Sequence, residues 1–158
     1  MLGITMTQLK LITSLLFLRD SFDDFDLAEA RFVTEFSAEF DGRIPEEGEN
    51  SAYIKWGKLR PLAFQLIRGE TLPKSFSLVL VYSREKTRDL LLSEDRETPD
   101  SELPALFLNI RYRQEQMMLT TGISEKSFYP DFELPRLWDR TVLNLLSNLG
   151  LEEAISRP

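Results

Sequence analysis

The 158-residue sequence predicts an α+β fold, an antiparallel sheet with helices packed on one face. Three patterns lead to this prediction. Apolar residues recur at helical spacing near both ends of the chain, apolar and polar residues alternate over residues 28–41, and two alternating runs within residues 106–123 indicate a hairpin. Because no linker, repeat or low-complexity segment interrupts the sequence, we expect residues 1–158 to form a single globular domain.

The first predicted element is a core helix over residues 9–18, LKLITSLLFL. Thr5 and Gln8 fit a capping box at its start. The run is far shorter than the roughly 20 apolar residues needed to span a bilayer, and no small-residue cleavage site follows it. The helix also carries a second apolar stripe, which must be buried against the protein's own sheet or against a second subunit. A homodimer is therefore one arrangement that we consider.

The middle of the chain alternates between strands and helices. Residues 28–41 predict one strand, or two strands joined at a bend, with one buried face, and residues 45–50, PEEGEN, predict a loop. We expect a helix over residues 56–68, with Pro61 in its first turn and Gly69 just past its end. We also expect a strand over residues 76–83, a short helix over residues 84–92 and a polar loop over residues 93–104. A closing amphipathic helix over residues 134–149 is expected to end at Gly150.

The clearest predicted hairpin joins residues 106–113 to residues 118–123. Because the connection contains no Gly or Asn, we expect Arg113 to pair with Met118 across a four-residue type I turn, Gln114–Met117, rather than a tight primed turn. This register places Tyr112 opposite Leu119 and separates an apolar face from a polar one. The two predicted faces are Leu108, Ile110, Tyr112 and Leu119 on the buried side and Asn109, Arg111, Arg113, Thr120 and Gly122 on the accessible side.

The chain contains no cysteine and no histidine. These absences exclude thiolate nucleophiles, disulfides, Cys or His metal ligands and any side chain that ordinarily titrates near neutral pH. The lack of cysteine also fits a reducing compartment, so we expect a cytoplasmic protein. Ser83 and Lys86 have S-x-x-K spacing, but the companion motifs are missing and no phosphate-binding glycine loop occurs. We therefore favour a protein without enzymatic activity and expect no cofactor.

Charge is distributed unevenly along the chain. Residues 51–84 carry six basic residues and one acidic residue, a net charge of +5, whereas the whole chain carries −7 and the remainder therefore −12. Such a segment forms a local surface that attracts phosphate or an acidic partner, or it is simply the solvated exterior of one helix. The hairpin arginines either extend this surface or pair across strands. The candidate anion- or partner-binding residues are Lys55, Lys58, Arg60, Arg68, Lys74, Arg111 and Arg113.

The acidic run over residues 20–29 is the candidate cation site. Clustered carboxylates suit calcium and magnesium, but this run lacks the glycine and the ligand spacing of an EF-hand loop. Phe22 and Phe25 indicate instead that burial holds the segment in place. We therefore expect no bound metal, and the weak candidates for ligands are Asp20, Asp23, Asp24 and Asp26.

Several strings resemble those of a bacterial family of about this length that is known only as a domain of unknown function. They are LRDSFDDFDLAEARF, DGRI, WGKLRPLAFQLIRG, LFLNIRY and LTTGIS, which extend over nearly the whole chain. This resemblance implies no activity. The succession of a helix, an alternating strand region, a helix ending in R-G and a closing hairpin also resembles, in pattern, one repeat of a DNA sliding clamp, which implies an association with nucleic acid.

The sequence as a whole favours a small cytoplasmic binding protein that recognises a protein or another anionic partner and does not contact a membrane. Two alternatives remain open. One is a clamp-like module that binds nucleic acid through residues 51–84, which the net charge of −7 does not support. The other is an enzyme that holds an anionic small molecule with Arg60, Arg111 or Arg113.

Overall fold

The computed structural model describes residues 2–44, 52–69, 73–125, 133–151 and 155–156. The helices in these ranges are α1 (Leu9–Phe17), α2 (Trp56–Ile67), α3 (Arg84–Ser93) and α4 (Leu134–Asn148). The strands are β1 (Gly3–Met6), β2 (Asp26–Val33), β3 (Ser37–Asp41), β4 (Arg43–Ile44), β5 (Ala52–Lys55), β6 (Ser75–Val81), β7 (Ala105–Arg113), β8 (Gln116–Ser124) and β9 (Ile155–Ser156).

These strands form an antiparallel sheet in the spatial order β4-β5-β2-β6-β7-β8-β1-β9, with β3 pairing with β2 on the side that β5 also occupies. Gly42 lies between β3 and β4, and its N–H donates to the carbonyl of Ala28 at 2.9 Å. A side chain at Gly42 would collide with the carbonyl of Leu27, so only glycine allows the chain to pass this close to β2.

The two faces of the sheet are covered differently. Alternate residues of the central strands form buried cross-strand rows, such as Phe32, Phe76, Tyr112 and Met117. All four helices contribute side chains to the same apolar core as these rows, so they pack on this face, here called the core face. Residues of the other parity, on the open face, are mostly exposed or half-buried. The predicted α+β fold with helices on one face is confirmed.

Aromatic contacts around Phe17 join α1 and α2 to the sheet. The ring of Phe17 meets those of Phe32, Trp56 and Phe76 edge-on, with centroid distances of 6.2, 5.8 and 5.3 Å. Trp56 is fully buried, and its indole N–H donates to the carbonyl of Leu16 at 2.9 Å. Edge-on aromatic pairs contribute about 1 kcal/mol each beyond the area that they bury, so this cluster fixes α1 against the sheet.

The predicted capping box before α1 is wrong. Thr5 lies in β1 opposite Met118, and the residue that precedes the helix, Gln8, makes no side-chain capping bond. The predicted elements do not include β1, because four residues carry too little alternation to be recognised as a strand.

The position of Pro61 within α2 is also different from the prediction. The helix begins at Trp56, which makes Pro61 its sixth residue rather than part of its first turn. Because proline has no N–H, the carbonyl of Gly57 loses its usual helical partner. The bounds of the helix nevertheless agree with the predicted 56–68, since it begins at Trp56 and ends one residue early, with Arg68 extended before Gly69.

The β7–β8 hairpin differs from the predicted register. Arg113 pairs with Gln116 rather than Met118, and the turn contains only Gln114 and Glu115. Their φ angles are 52° and 62°, so both residues occupy the left-handed region, as a two-residue type I′ turn requires. The absence of Gly and Asn therefore did not prevent a primed turn.

Burial of Met117 explains why the tight turn is preferred. In the observed register Met117 lies opposite Tyr112 and is fully buried, whereas a four-residue turn would hold it in the loop. Burying such a side chain stabilises the fold by about 2 kcal/mol, comparable with the roughly 1 kcal/mol that each left-handed residue costs. Leu119 is opposite Ile110 instead of Tyr112. The predicted faces are nevertheless confirmed, because a shift of two residues keeps every side chain on its own face.

Most of the other predicted elements are confirmed, whereas the short strands β4, β5 and β9 were not predicted. The alternating region is two strands, β2 and β3, joined at a bend, and α4 is followed by Gly150 at a φ of 81°. The predicted strand and short helix are confirmed as β6 and α3, while the polar loop includes a short 3₁₀ turn, Asp100–Glu102. The predicted loop over residues 45–50 lies outside the described residues. None of the helices in the described ranges is long and apolar enough to cross a membrane.

Relieving the strain of the β7–β8 turn should stabilise the protein. We expect the double substitution Gln114→Asn and Glu115→Gly to raise the free energy of unfolding by about 1 kcal/mol, since Asn and Gly favour the type I′ conformation. In a protein of this size that gain raises Tm by about 2 to 4 °C. Gln116→Asn, at a position with an ordinary φ, is the matched control and should give no gain. A lower Tm for the double variant would contradict the turn described here.

Candidate functional site

The basic and acidic segments of the sequence meet between α2 and the connection from α1 to β2. Arg60 donates from Nε to Oδ1 of Asp23 at 2.7 Å and from Nη2 to Oδ2 at 3.1 Å. The two side chains are only 21% and 24% exposed, and their hydrogen bond raises the pKa of Arg60 above its ordinary value, against the opposing effect of burial. A Cβ at Gly57 would lie 2.9 Å from that of Asp23, so the glycine permits this approach. Arg60 is therefore occupied in holding the fold together.

A second ion pair neutralises the end of the acidic run. Nζ of Lys55 lies 2.7 Å from Oδ1 of the buried Asp26 and donates to the carbonyl of Asp24 at 3.3 Å. On α3, Nζ of Lys86 lies 3.7 Å from Oδ2 of Asp24. A buried carboxylate without a partner would be strongly destabilising, which explains the position of Lys55 at the end of β5.

The candidate cation ligands are thus engaged with basic side chains or separate from one another. Asp23, Asp24 and Asp26 each lie beside a basic side chain, and Asp20 is exposed in the connection after α1. In the part of the chain that the structure describes, no group of three or more carboxylates is placed to hold a metal ion. The acidic run acts in the fold as the counter-charge of residues 51–84.

The other basic residues of that segment do not converge on one place. Lys58 and Arg68 are exposed on and just after α2, and Lys74 is exposed immediately before β6. Arg84, at the start of α3, donates from Nη2 to the carbonyl of Asp100 at 2.6 Å. The net charge of +5 in the sequence is therefore spread over several elements rather than concentrated in a single basic surface.

Three arginines do come together, on the open face of the sheet. Arg31 on β2 and Arg111 and Arg113 on β7 surround a depression of about 320 Å³ whose floor includes Ser75 and Ser77 on β6. We call Arg31, Arg111 and Arg113 the arginine cluster. Among the described side chains, neither Arg111 nor Arg113 has an ion-pair or hydrogen-bond partner.

The depression follows from the register of the three strands. Arg31 is opposite Ser77, and Ser77 is opposite Arg111, so two long side chains flank a short one in a single cross-strand row. With neighbouring strands about 4.8 Å apart, the backbones of the two arginines are about 10 Å from each other. Ser75, opposite Arg113, continues the low floor along β6. Guanidinium groups on both sides of a floor of hydroxyls form a cradle for a carboxylate or a phosphate.

Three carboxylates lie next to the arginine cluster on the same face. Glu29, Glu39 and Asp41, here called the acidic strip, line a second depression of about 570 Å³ that shares Arg31 and Ser77 with the first. Nε of Arg31 is 3.5 Å from Oε1 of Glu39, and both side chains are well exposed. Arg43 also lines the second depression, so the open face carries a basic half and a mostly acidic half that meet at Arg31.

Another depression, of about 360 Å³, lies where β5 and β6 approach α3. Its charged residues include Lys55, Asp26 and Arg84, which already have the partners described above. Ser83 also lines it, but Oγ of Ser83 accepts the backbone N–H of Lys86 at 3.2 Å. The S-x-x-K spacing is thus explained by a cap at the start of α3.

The arginine cluster could be predicted from the sequence only in part. Arg111 and Arg113 were identified from the hairpin alternation alone, but Arg31 was missed, because only the pairing of β2 with β6 and of β6 with β7 brings it beside them. Alternation had already placed Arg31 on the polar side of its strand. No signal within the sequence specified which strands would be neighbours.

The fold defines a small α+β protein in which the described helices cover one face of the sheet. The model of a family of unknown function, DUF5721, matches residues 15–152, and the chain belongs to this family. The match agrees with the resemblance found in the sequence. A search of curated proteins gave no match, and a search of solved structures gave none, so the likeness to a sliding clamp is not shown.

Reversing Arg60 should destabilise the fold, whereas reversing Arg68 should not. Arg60→Glu places a second carboxylate against the partly buried Asp23, and we expect a loss of about 2 to 3 kcal/mol in the free energy of unfolding. For a protein of this length the corresponding fall in Tm is about 4 to 12 °C. The control Arg68→Glu makes the same charge change on an exposed side chain and should stay within about 0.5 kcal/mol of the parent. Equal melting temperatures for both variants would contradict a structural role for the Arg60–Asp23 pair.

Proposed function

We propose that this protein is a small, non-enzymatic cytoplasmic binding protein that recognises an acidic protein surface through the arginine cluster. The observation that carries the proposal is the arrangement of Arg111 and Arg113. Both arginines border the depression over the serine floor, and neither has a counter-charge among the described side chains. Five N–H donors in a planar fork make each of them a strong ligand for carboxylates.

The acidic strip favours a protein partner over a nucleic acid. A duplex or a long single strand crossing the open face would bring phosphates close to Glu29, Glu39 and Asp41, in a chain with a net charge of −7. Like charges at this distance repel, and complementary surfaces match positive areas with negative ones. A protein surface that carries both signs satisfies both halves of the open face at once.

The absence of cysteine and histidine supports a binding role. It leaves the arginine cluster without a thiol or an imidazole, and among the described residues no carboxylate lines the depression that the cluster surrounds. The enzyme alternative, with an anionic small molecule held by the same arginines, uses the same cradle. Experiment can separate it from the proposal.

The test measures binding of a fluorescently labelled oligoglutamate peptide by anisotropy. The parent protein should bind it, and Arg111→Glu with Arg113→Glu should weaken binding at least about tenfold, since two charge-assisted contacts become repulsive. The matched control is Lys58→Glu with Arg68→Glu, which changes the net charge by the same amount on α2 and should change affinity less than about threefold. Unchanged melting temperatures would establish that all three proteins are folded.

Several results would overturn the proposal. One is a parent protein that does not bind the peptide, and another is an equal loss of affinity in both double variants, which would reflect net charge alone. Binding to duplex DNA with a steep dependence on salt, about 0.9 in slope per phosphate contact, would favour the nucleic-acid alternative. Stabilisation by inorganic phosphate without peptide binding would favour the enzyme alternative.

A further inference from the structure

The pattern of basic and acidic residues on the open face is complementary to the same pattern on a second copy placed face to face with it. One cross-strand row runs Glu39, Arg31, Ser77, Arg111 from β3 to β7. The next row runs Asp41, Glu29, Val79, Asn109 across the same strands. In each row an acidic residue stands at the β3 end and a hydrogen-bond donor at the β7 end.

Consider two copies whose open faces meet, related by a two-fold axis that lies between the copies, runs parallel to the strands and is level with the gap between β2 and β6. This axis places the β3 end of each row over the β7 end of the same row in the other copy. In a face-to-face pair related by such an axis, Glu39 of one copy lies over Arg111 of the other, and Asp41 lies over Asn109. An interface of this kind is isologous, so each contact occurs twice. Four basic residues, Arg43 among them, and three acidic residues line the two depressions of each copy, so the paired surfaces are nearly balanced in charge.

The sizes of the side chains fit the same arrangement. The axis brings Arg31 over Ser77, Glu29 over Val79 and Val33 over Ser75, so a longer residue faces a shorter one along the middle of the face. Two sheets pack face to face at a separation of about 10 Å with their strands within about 30° of each other, and alternating large and small side chains fill such a space. Met118, 46% exposed at the end of the first row, adds an apolar side chain at the rim.

The net charge of each copy opposes this pairing, but salt weakens the repulsion. Each copy carries a net charge of −7, but at 0.1 M salt the Debye length is about 10 Å, so charges on the far side of each copy are largely screened. The paired groups of the two open faces lie within that distance and are partly desolvated when they meet.

We infer that the partner of Arg111 is a second copy of this chain, whose Glu39 supplies the carboxylate. This inference rests on the proposed function and goes further by naming the partner. The protein forms a symmetric dimer through its open faces, and the contact between Glu39 and Arg111, made twice, determines which surfaces meet.

A charge-swap experiment tests the inference, with sedimentation equilibrium as the measurement. The parent should dimerise. Arg111→Glu alone and Glu39→Arg alone should each raise the Kd of the dimer about 100-fold, because each of the two symmetric contacts loses about tenfold in affinity. An equimolar mixture of the two variants should recover a dimer, since every contact then joins a carboxylate to an arginine. The double variant Glu39→Arg with Arg111→Glu should also dimerise by itself.

The control is Lys58→Glu, which changes the same charge on α2 and should leave the dimer intact. A monomeric parent, or two single variants that still dimerise as the parent does, would overturn the inference. Failure of the mixture to recover the dimer while both single variants are folded and monomeric would also overturn it. If the parent is monomeric but binds oligoglutamate through Arg111 and Arg113, the proposed function stands and the second copy is excluded as partner. If the parent neither dimerises nor binds the peptide, both proposals are wrong.

Discussion

Period-two alternation along the central strands is the constraint from which the rest of this structure follows. Successive side chains of a strand point to opposite faces, so the same register that buries Phe32, Phe76 and Tyr112 in one row places Arg31, Ser77 and Arg111 in the adjacent row on the open face. A one-residue slip between β6 and β7 would expose the core. The burial of the core therefore holds the arginine cluster in place, without any contact among the arginines themselves.

Charges that are close in the sequence have different roles in the fold. Residues 51–84 and the acidic run 20–29 look like opposite binding surfaces when they are counted along the chain, yet Arg60 pairs with Asp23 and Lys55 with Asp26. These pairs join α2 and β5 to the segment that leads into β2. A guanidinium that already has a bidentate partner in a partly buried position is a poor ligand for a third group. Arg111 and Arg113, which have no partner among the described side chains, lie on β7, and Arg31 joins them from β2, a strand far away in the sequence.

Most helices and strands of this fold could be predicted from the sequence. Which of them lie side by side in the sheet could not. Long amphipathic segments such as α4 and the alternation of β2 carry their own period, so they were found with nearly correct bounds. The four-residue strand β1 and the register of the β7–β8 turn depend on contacts that no local pattern records, above all the burial of Met117. The candidate site follows the same division. Arg111 and Arg113 were found because they alternate with Ile110 and Tyr112, but Arg31 joins them only through the strand order β2-β6-β7.

Like charges on the open face lie close together, which destabilises an isolated sheet in water. Glu29 and Asp41 are directly opposite each other on β2 and β3, and Arg111 and Arg113 are neighbours on one face of β7. Like charges in such positions destabilise a sheet by a few tenths of a kcal/mol or more, and an alternation of signs would avoid the cost. Departures from local rules are expected where a surface serves recognition. In the proposed face-to-face pair, Glu39 of one copy lies over Arg111 of the other and Asp41 lies over Asn109, which offsets part of both repulsions. In the proposed function, this segregation of charge, which weakens the isolated sheet, is what makes the open face selective for a partner of the opposite pattern.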